Sequence, residues 1–301
     1  MGALEARLGI LSKITTLIGH TDEPPVWGQQ AAKPMSDGAL YAEPPIDLGA
    51  VDLCGINGVD VQLSDGWTAT DGDLCGTEMM LRFADGAQHR VRVMLLLRHP
   101  DDGVVIVAHC FEVAETRYFP VSAIDAVVEK TGEAASAPEF LRNALQVDLE
   151  TGDKAGAGVE ARRRFADGWR ILAAIAHADG FMDDREVDVI TDYLGSECEL
   201  LRMAWGEEDD AAMFAFIRRQ RPGAALLGHC LAGLEEAGEE ACERLVEFAY
   251  DLMESDGVVD ETEAALLDEI EAALDAAMMA AEDGDDDLLD EGDELAEPRA
   301  E

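Results

Sequence analysis

The stretch Asp179-Gly180-Phe181-Met182-Asp183-Asp184-Arg185-Glu186 returns later as Asp256-Gly257-Val258-Val259-Asp260-Glu261-Thr262-Glu263. The two copies start at positions 179 and 256, an offset of 77. Asp, Gly, Asp and Glu recur at matching places. Each copy is flanked by apolar residues at helical spacing. Phe165, Trp169, Leu172, Ala173 and Ala176 precede the first turn, and Val187, Ile190 and Leu194 follow it. Leu245, Phe248, Ala249 and Leu252 precede the second, and Ala264, Leu267, Ile270 and Leu274 follow. Between the copies, Met213, Phe216 and Ile217 mark a helix ended by Pro222-Gly223. Leu226, Leu227, Cys230, Leu231 and Leu234 mark another, ended by Gly238. The spacing predicts six or seven helices in one bundle over 159–281. Two copies point to an internal duplication, since a solenoid needs at least three units.

The chain ahead of the bundle reads differently. Residues 49–131 carry short apolar or alternating runs, such as Val59 to Leu63, Met79 to Phe83, Val91 to Leu97 and Val104 to Cys110. The turns Ala84-Asp85-Gly86 and Pro100-Asp101-Asp102-Gly103 divide them, which predicts hairpins in a small antiparallel sheet or barrel. The fold class is therefore α+β: a β-rich, barrel-like module, then a helical bundle. Leu4, Leu8, Leu11, Ile14 and Ile18 predict an amphipathic helix within 1–20. Residues 21–48 hold Pro24-Pro25, Pro34 and Pro44-Pro45 and read as a linker or extended strap. Residues 132–158 read as a second linker with a short helix over 139–146. From 282 to 301 the chain becomes an acidic tail, expected to be disordered.

The charge balance narrows the partners. There are 22 basic and 65 acidic residues, a net charge of −43 and a pI near 4.1. Such a surface repels nucleic-acid phosphates and anionic membranes and attracts cations and basic proteins. Six cysteines occur with no Cys-x-x-Cys pair and no signal-peptide pattern. Reduced thiols and a cytoplasmic setting are expected. The most apolar stretch, Val93 to Leu97, is far too short to cross a bilayer.

Each turn carries carboxylates at the spacing of the back half of an EF-hand loop, with a Gly at the bend and a Glu to close it. The first ligand position would be Ile175 or Leu252, neither of which ligates, so these are not EF-hands. A cation site needs ligands from both copies, brought together by the pairing of the two helix pairs. The competing reading is helix punctuation. Asp183 and Asp260 suit N-caps with Glu186 and Glu263 closing capping boxes. Gly180 and Gly257 suit C-caps. Capping leaves Asp179 and Asp256 unexplained, because the preceding helix ends disfavour negative charge. His177 aligns with Glu254 and either completes a site or serves as a helix-end cation. No Ser-His-Asp set, phosphate loop or dinucleotide fingerprint appears.

This constellation resembles the TerB-like family, which includes the TerB protein of tellurite resistance and the N-terminal domain of the DjlA co-chaperone. The matching residues are Ala176-His177-Ala178-Asp179-Gly180 with Asp183 to Glu186, and more loosely Met253 to Gly257 with Asp260 to Glu263. The resemblance covers about 160–276. It implies a helical bundle that binds divalent cations through clustered acidic residues, here Asp179, Asp183, Glu186, Asp256, Asp260 and Glu263, in stress-response or phage-defence complexes, without established catalysis. The stretch from Val104 to Val128 resembles the end of the WYL domain, an Sm-like β-barrel, through Cys110, Arg117, Phe119 and Ile124. Pro120 and Ala123 stand where that family carries basic residues.

The expected function is a non-enzymatic, metal-binding adaptor or sensor with a protein partner, its cation Ca²⁺ foremost, with Mg²⁺ or Mn²⁺ as alternatives. An acidic decoy that mimics DNA and occupies a basic partner is the alternative. A metal-dependent hydrolase is a third, which lacks a separate nucleophile or base.

Overall fold

The computed structural model describes residues 12–14, 16–17, 61–70, 74–129, 132–147, 157–255, 257 and 259–286. The expected linker at 21–48, most of the N-terminal helix, Asp256 and residues 287–301 lie outside them.

Eight strands form one antiparallel sheet: β1 (Val61–Gln62), β2 (Thr68–Thr70), β3 (Glu78–Phe83), β4 (Gln88–His99), β5 (Gly103–Cys110), β6 (Glu115–Pro120), β7 (Ile124–Val128) and β8 (Ala134–Ala135). The long β4 anchors it. One edge of β4 pairs with β5, and β5 with β6; the other edge takes β3 along its first half and β2 along its second. β7 follows β3, and β8 follows β7. Among the described residues no pairing joins β6 to β8, so the sheet is open along this path.

The run of apolar residues in β4 reflects burial on both faces plus one irregularity. The register shifts between Val93 and Leu95. An extra residue reverses which face each later side chain takes. Val91 and Val93 therefore join the main core, and beyond the shift Leu96 does so, while Leu95 and Leu97 turn to the other side. There they meet Trp67, Ala69, Val105 and Val107 in a small second core.

Eight helices follow: α1 (Ala137–Asn143), α2 (Ala157–Arg164), α3 (Ala166–Ala176), α4 (Asp184–Leu200), α5 (Glu207–Ile217), α6 (Ala224–Ala237), α7 (Glu239–Glu254) and α8 (Glu261–Asp286). The last seven form the bundle, with α3 at its centre, buried at almost every position. Trp169 is fully buried and meets Phe216 edge to face at 5.6 Å between ring centres. One continuous core runs from Leu81, Ile106 and Phe119 in the sheet to Trp169, Leu194 and Leu267 in the bundle. Ile14 is fully buried in the same core, and Lys13 pairs with Glu269 of α8 at 2.8 Å.

Two segments differ from the reading of the sequence. Residues 132–147, expected as a linker with a short helix over 139–146, form that helix as α1 over 137–143, but also build β8 and bury Ala137, Phe140, Leu141, Leu145 and Val147. The Ser136 side chain caps α1, and the buried Arg162 donates both terminal nitrogens to the Leu145 carbonyl at 3.1 Å. The breaker residues there mark short elements, with too few periodic positions to betray their burial. The second segment begins at Glu282, where the tail was expected: α8 instead continues to Asp286. The Ala-rich run before it has high helix propensity and carries the helix onward.

Candidate functional site

The first acidic turn links α3 to α4. Gly180 adopts a φ of +94°, which a side chain disfavours. Asp179 Oδ1 accepts the Phe181 amide at 2.7 Å. Asp183 caps α4, its Oδ1 accepting the Arg185 amide at 2.9 Å, while Glu186 Oε2 accepts the Asp183 amide at 2.5 Å. The expected capping box is thus formed. In the second turn Gly257 has a φ of +82°, and Asp260 Oδ1 accepts the Thr262 amide at 2.7 Å. That amide, with the Thr262 hydroxyl, holds the Asp260 carboxyl below the usual carboxylate range. Glu186 and Glu263 take equivalent places and are both buried, at 6 % and 5 % exposure. Asp256 lies outside the described residues. Among the described residues, no three of these acidic side chains bring ligand atoms within 4.8 Å of one another.

The first turn has a second role that its sequence does not reveal. It walls a cavity of about 370 Å³ between sheet and bundle. Phe181 and Met182 line it together with Met80, Val127, Val128 and Phe140. Four arginines, Arg90, Arg218, Arg219 and Arg221, also line it, together with Glu78, Glu129 and Glu133. In a chain of net charge −43 this is a local excess of positive charge.

The arginines reach the cavity because the segment after α5 pairs with the start of β3. The Glu78 amide donates to the Arg219 carbonyl and the Arg221 amide to the Gly76 carbonyl, both at 2.9 Å. Between them Thr77 bridges to Gln220, and both are fully buried. Glu78 then gathers the charges: Arg90 Nη2 lies 2.6 Å away, Arg92 Nη2 3.0 Å and Arg221 Nη1 4.0 Å. Burial alone would push the Glu78 carboxyl up, but these guanidiniums outweigh it and hold it below the usual range. Arg221 Nη2 also reaches the Gly180 carbonyl at 3.4 Å, tying the network to the acidic turn. Arg219 pairs with Glu129 at 2.7 Å. Arg90 is 5 % exposed and packs over the Phe111 ring at 4.6 Å. Its Nε and Nη1 have no hydrogen-bond partner in the protein.

A second cluster lies at the end of β4 and β5. His89 Nδ1 is 3.6 Å from Cys110 Sγ and 3.5 Å from Glu112 Oε2, and that oxygen is 3.3 Å from the sulfur. His89 and Cys110 are buried; Glu112 sits at the rim. Burial, then the hydrogen bond to Glu112, pushes the Cys110 thiol up to about 11. Burial would also raise Glu112, but hydrogen bonds from His89 and from the Arg90 amide bring it below its usual value.

Sequence reading missed both arrangements. Glu78 and Arg90 meet across the β3–β4 hairpin, and Arg221 joins them only through the pairing of a distant segment. His89 and Glu112 are brought together by strand register. In this register Val91 faces Cys110, which sets His89 opposite Glu112 on the same face. In the sequence Cys110 stands out as the end of the apolar run from Val104 and as one residue of the WYL-like resemblance, neither of which points to His89 or Glu112.

No known protein-family model, curated protein or solved structure matches this chain.

Proposed function

We propose that the chain is a non-enzymatic adaptor that takes a small anion with an apolar portion into the cavity between sheet and bundle. The observation that carries this reading is Arg90, buried beside the cavity with two guanidinium nitrogens lacking partners. Buried charged donors left without acceptors are costly, and a ligand oxygen would relieve that cost. Met80, Val128 and Phe140 supply apolar wall for the rest of such a ligand, and Phe181, 64 % exposed, stands at the side of the first turn. A ligand here would contact both sheet and bundle and so stabilise their union. The test is thermal unfolding with octanoate, phenyl phosphate or inorganic phosphate, using the wild type and Arg90→Met. A rise in Tm with at least one organic anion, lost in the variant, supports the reading. No shift with any of them contradicts it.

A second reading keeps the duplicated turns as a divalent-cation site of the TerB-like kind, within a bundle at 159–281. Two observations favour it. Glu186 and Glu263 are buried at equivalent places. Asp179 follows the C-terminal end of α3, where the helix dipole opposes negative charge. Titration with Ca²⁺, Mg²⁺ and Mn²⁺ tests it, and absence of heat from folded protein ends it. The net charge of −43 suits a basic protein as the adaptor's partner.

A further inference from the structure

We propose that His89, Cys110 and Glu112 form a zinc site in the sheet, separate from both the cavity and the acidic turns. Zn²⁺ takes Cys sulfur at about 2.3 Å, His nitrogen at about 2.0–2.1 Å and carboxylate oxygen at about 2.0–2.2 Å, in tetrahedral geometry. Those lengths place ligand atoms about 3.3–3.7 Å apart. The three separations here are 3.6 Å for sulfur to nitrogen, 3.5 Å for nitrogen to oxygen and 3.3 Å for sulfur to oxygen. The triangle has the size that one ion needs, without moving a strand.

The surroundings favour the same occupant. The Arg90 amide donates to Glu112 Oε1 at 2.9 Å, which holds the other oxygen toward His89 and Cys110. Outer hydrogen bonds of this kind fix metal-ligating carboxylates. Neutral imidazole, thiolate and carboxylate balance a divalent ion, so the loaded cluster carries no net charge. That suits a place where His89 and Cys110 are 4 % and 2 % exposed. A mixed sulfur, nitrogen and oxygen set selects zinc over Ca²⁺ and Mg²⁺, which prefer oxygen alone. Binding releases the thiol proton to solvent, and the fourth place is left for water.

The test uses the full chain, reduced and stripped by a chelator, titrated with Co²⁺ in excess Mg²⁺. Excess Mg²⁺ occupies oxygen-only sites on this acidic surface. The expected result is a thiolate-to-Co²⁺ absorption band that saturates at a single ion per chain and disappears on adding Zn²⁺. Cys110→Ser loses the band. Glu112→Gln, whose side chain still accepts the Arg90 amide, keeps the folded circular dichroism and binds at least about tenfold more weakly. Asp260→Asn leaves the band unchanged, which separates this site from the acidic turns. A wild type without the band overturns the proposal, as does a Cys110→Ser protein that retains it or a Glu112→Gln protein that binds as tightly as wild type.

Discussion

The Gln220 side-chain amide donates to the Thr77 hydroxyl at 2.9 Å across 143 residues of chain, with both residues fully buried. This pair lies at the centre of the join between sheet and bundle. On either side of it, backbone hydrogen bonds tie Glu78 to Arg219 and Arg221 to Gly76.

Removing one partner should cost more than removing both. Gln220→Ala leaves the Thr77 hydroxyl buried without its donor, which costs about 1–3 kcal/mol. Thr77→Val in that background should recover part of the loss, because no polar group is then stranded. Urea unfolding of the single and double variants measures this. Additive losses would show that the two side chains do not depend on each other.

Helix α3 packs too closely on α4 to admit a methyl group at Gly168. A Cβ there would lie 2.0 Å from Tyr193 Oη and 2.5 Å from its Cζ. Gly168→Ala should therefore destabilise by about 1–3 kcal/mol or more through overpacking. Tyr193→Phe in the same chain should restore only part, since the ring carbons still collide. Denaturation midpoints of the two variants check the order.

Acid should loosen the join through Glu78. Its carboxyl titrates lower in the folded chain than in the unfolded one, owing to Arg90, Arg92 and Arg221 acting against burial. A lowered group stabilises fully above its unfolded value, and that contribution fades as pH falls through the folded value. Stability should drop on acidification below the ordinary carboxylate range. Glu78→Gln should be less stable at neutral pH, because it strands buried guanidiniums, and should show a shallower acid dependence. An unchanged slope in the variant would remove Glu78 from the account.

The first acidic turn should behave as a cap whether or not a cation binds. Asp183→Ala removes the acceptor for the Arg185 amide and should cost about 1 kcal/mol in chelator. If the turns hold Ca²⁺ as well, the wild type gains further stability when Ca²⁺ is added, and Asp179→Asn reduces that gain. Equal unfolding curves with and without Ca²⁺ leave capping as the whole role.

Periodic features were legible in the sequence. The stripe of Trp169, Leu172 and Ala176 announced α3, and Asp183-x-x-Glu186 announced the capping box observed at the start of α4. The turn at Asp85-Gly86 placed the β3–β4 hairpin. What escaped depends on distant pairing. Nothing local marks Arg219 to Arg221 as a strand-like extension of β3, since its partners lie at Gly76 to Glu78. His89 read as one scattered histidine, because Cys110 and Glu112 belong to the other arm of a hairpin and only register aligns them. That no pairing among the described residues joins β6 to β8 was likewise unreadable, because alternation reveals that a strand is half-buried and not which neighbour it pairs with.

Calorimetric titration of octanoate and phenyl phosphate into wild type and Arg90→Met asks whether the cavity takes an organic anion through Arg90. Saturable binding of at least one of them to the wild type is expected, with affinity lost or reduced at least about tenfold in the variant, the order expected for removing a charge-assisted hydrogen bond. Absence of heat from the wild type, or equal binding by both proteins, would contradict it.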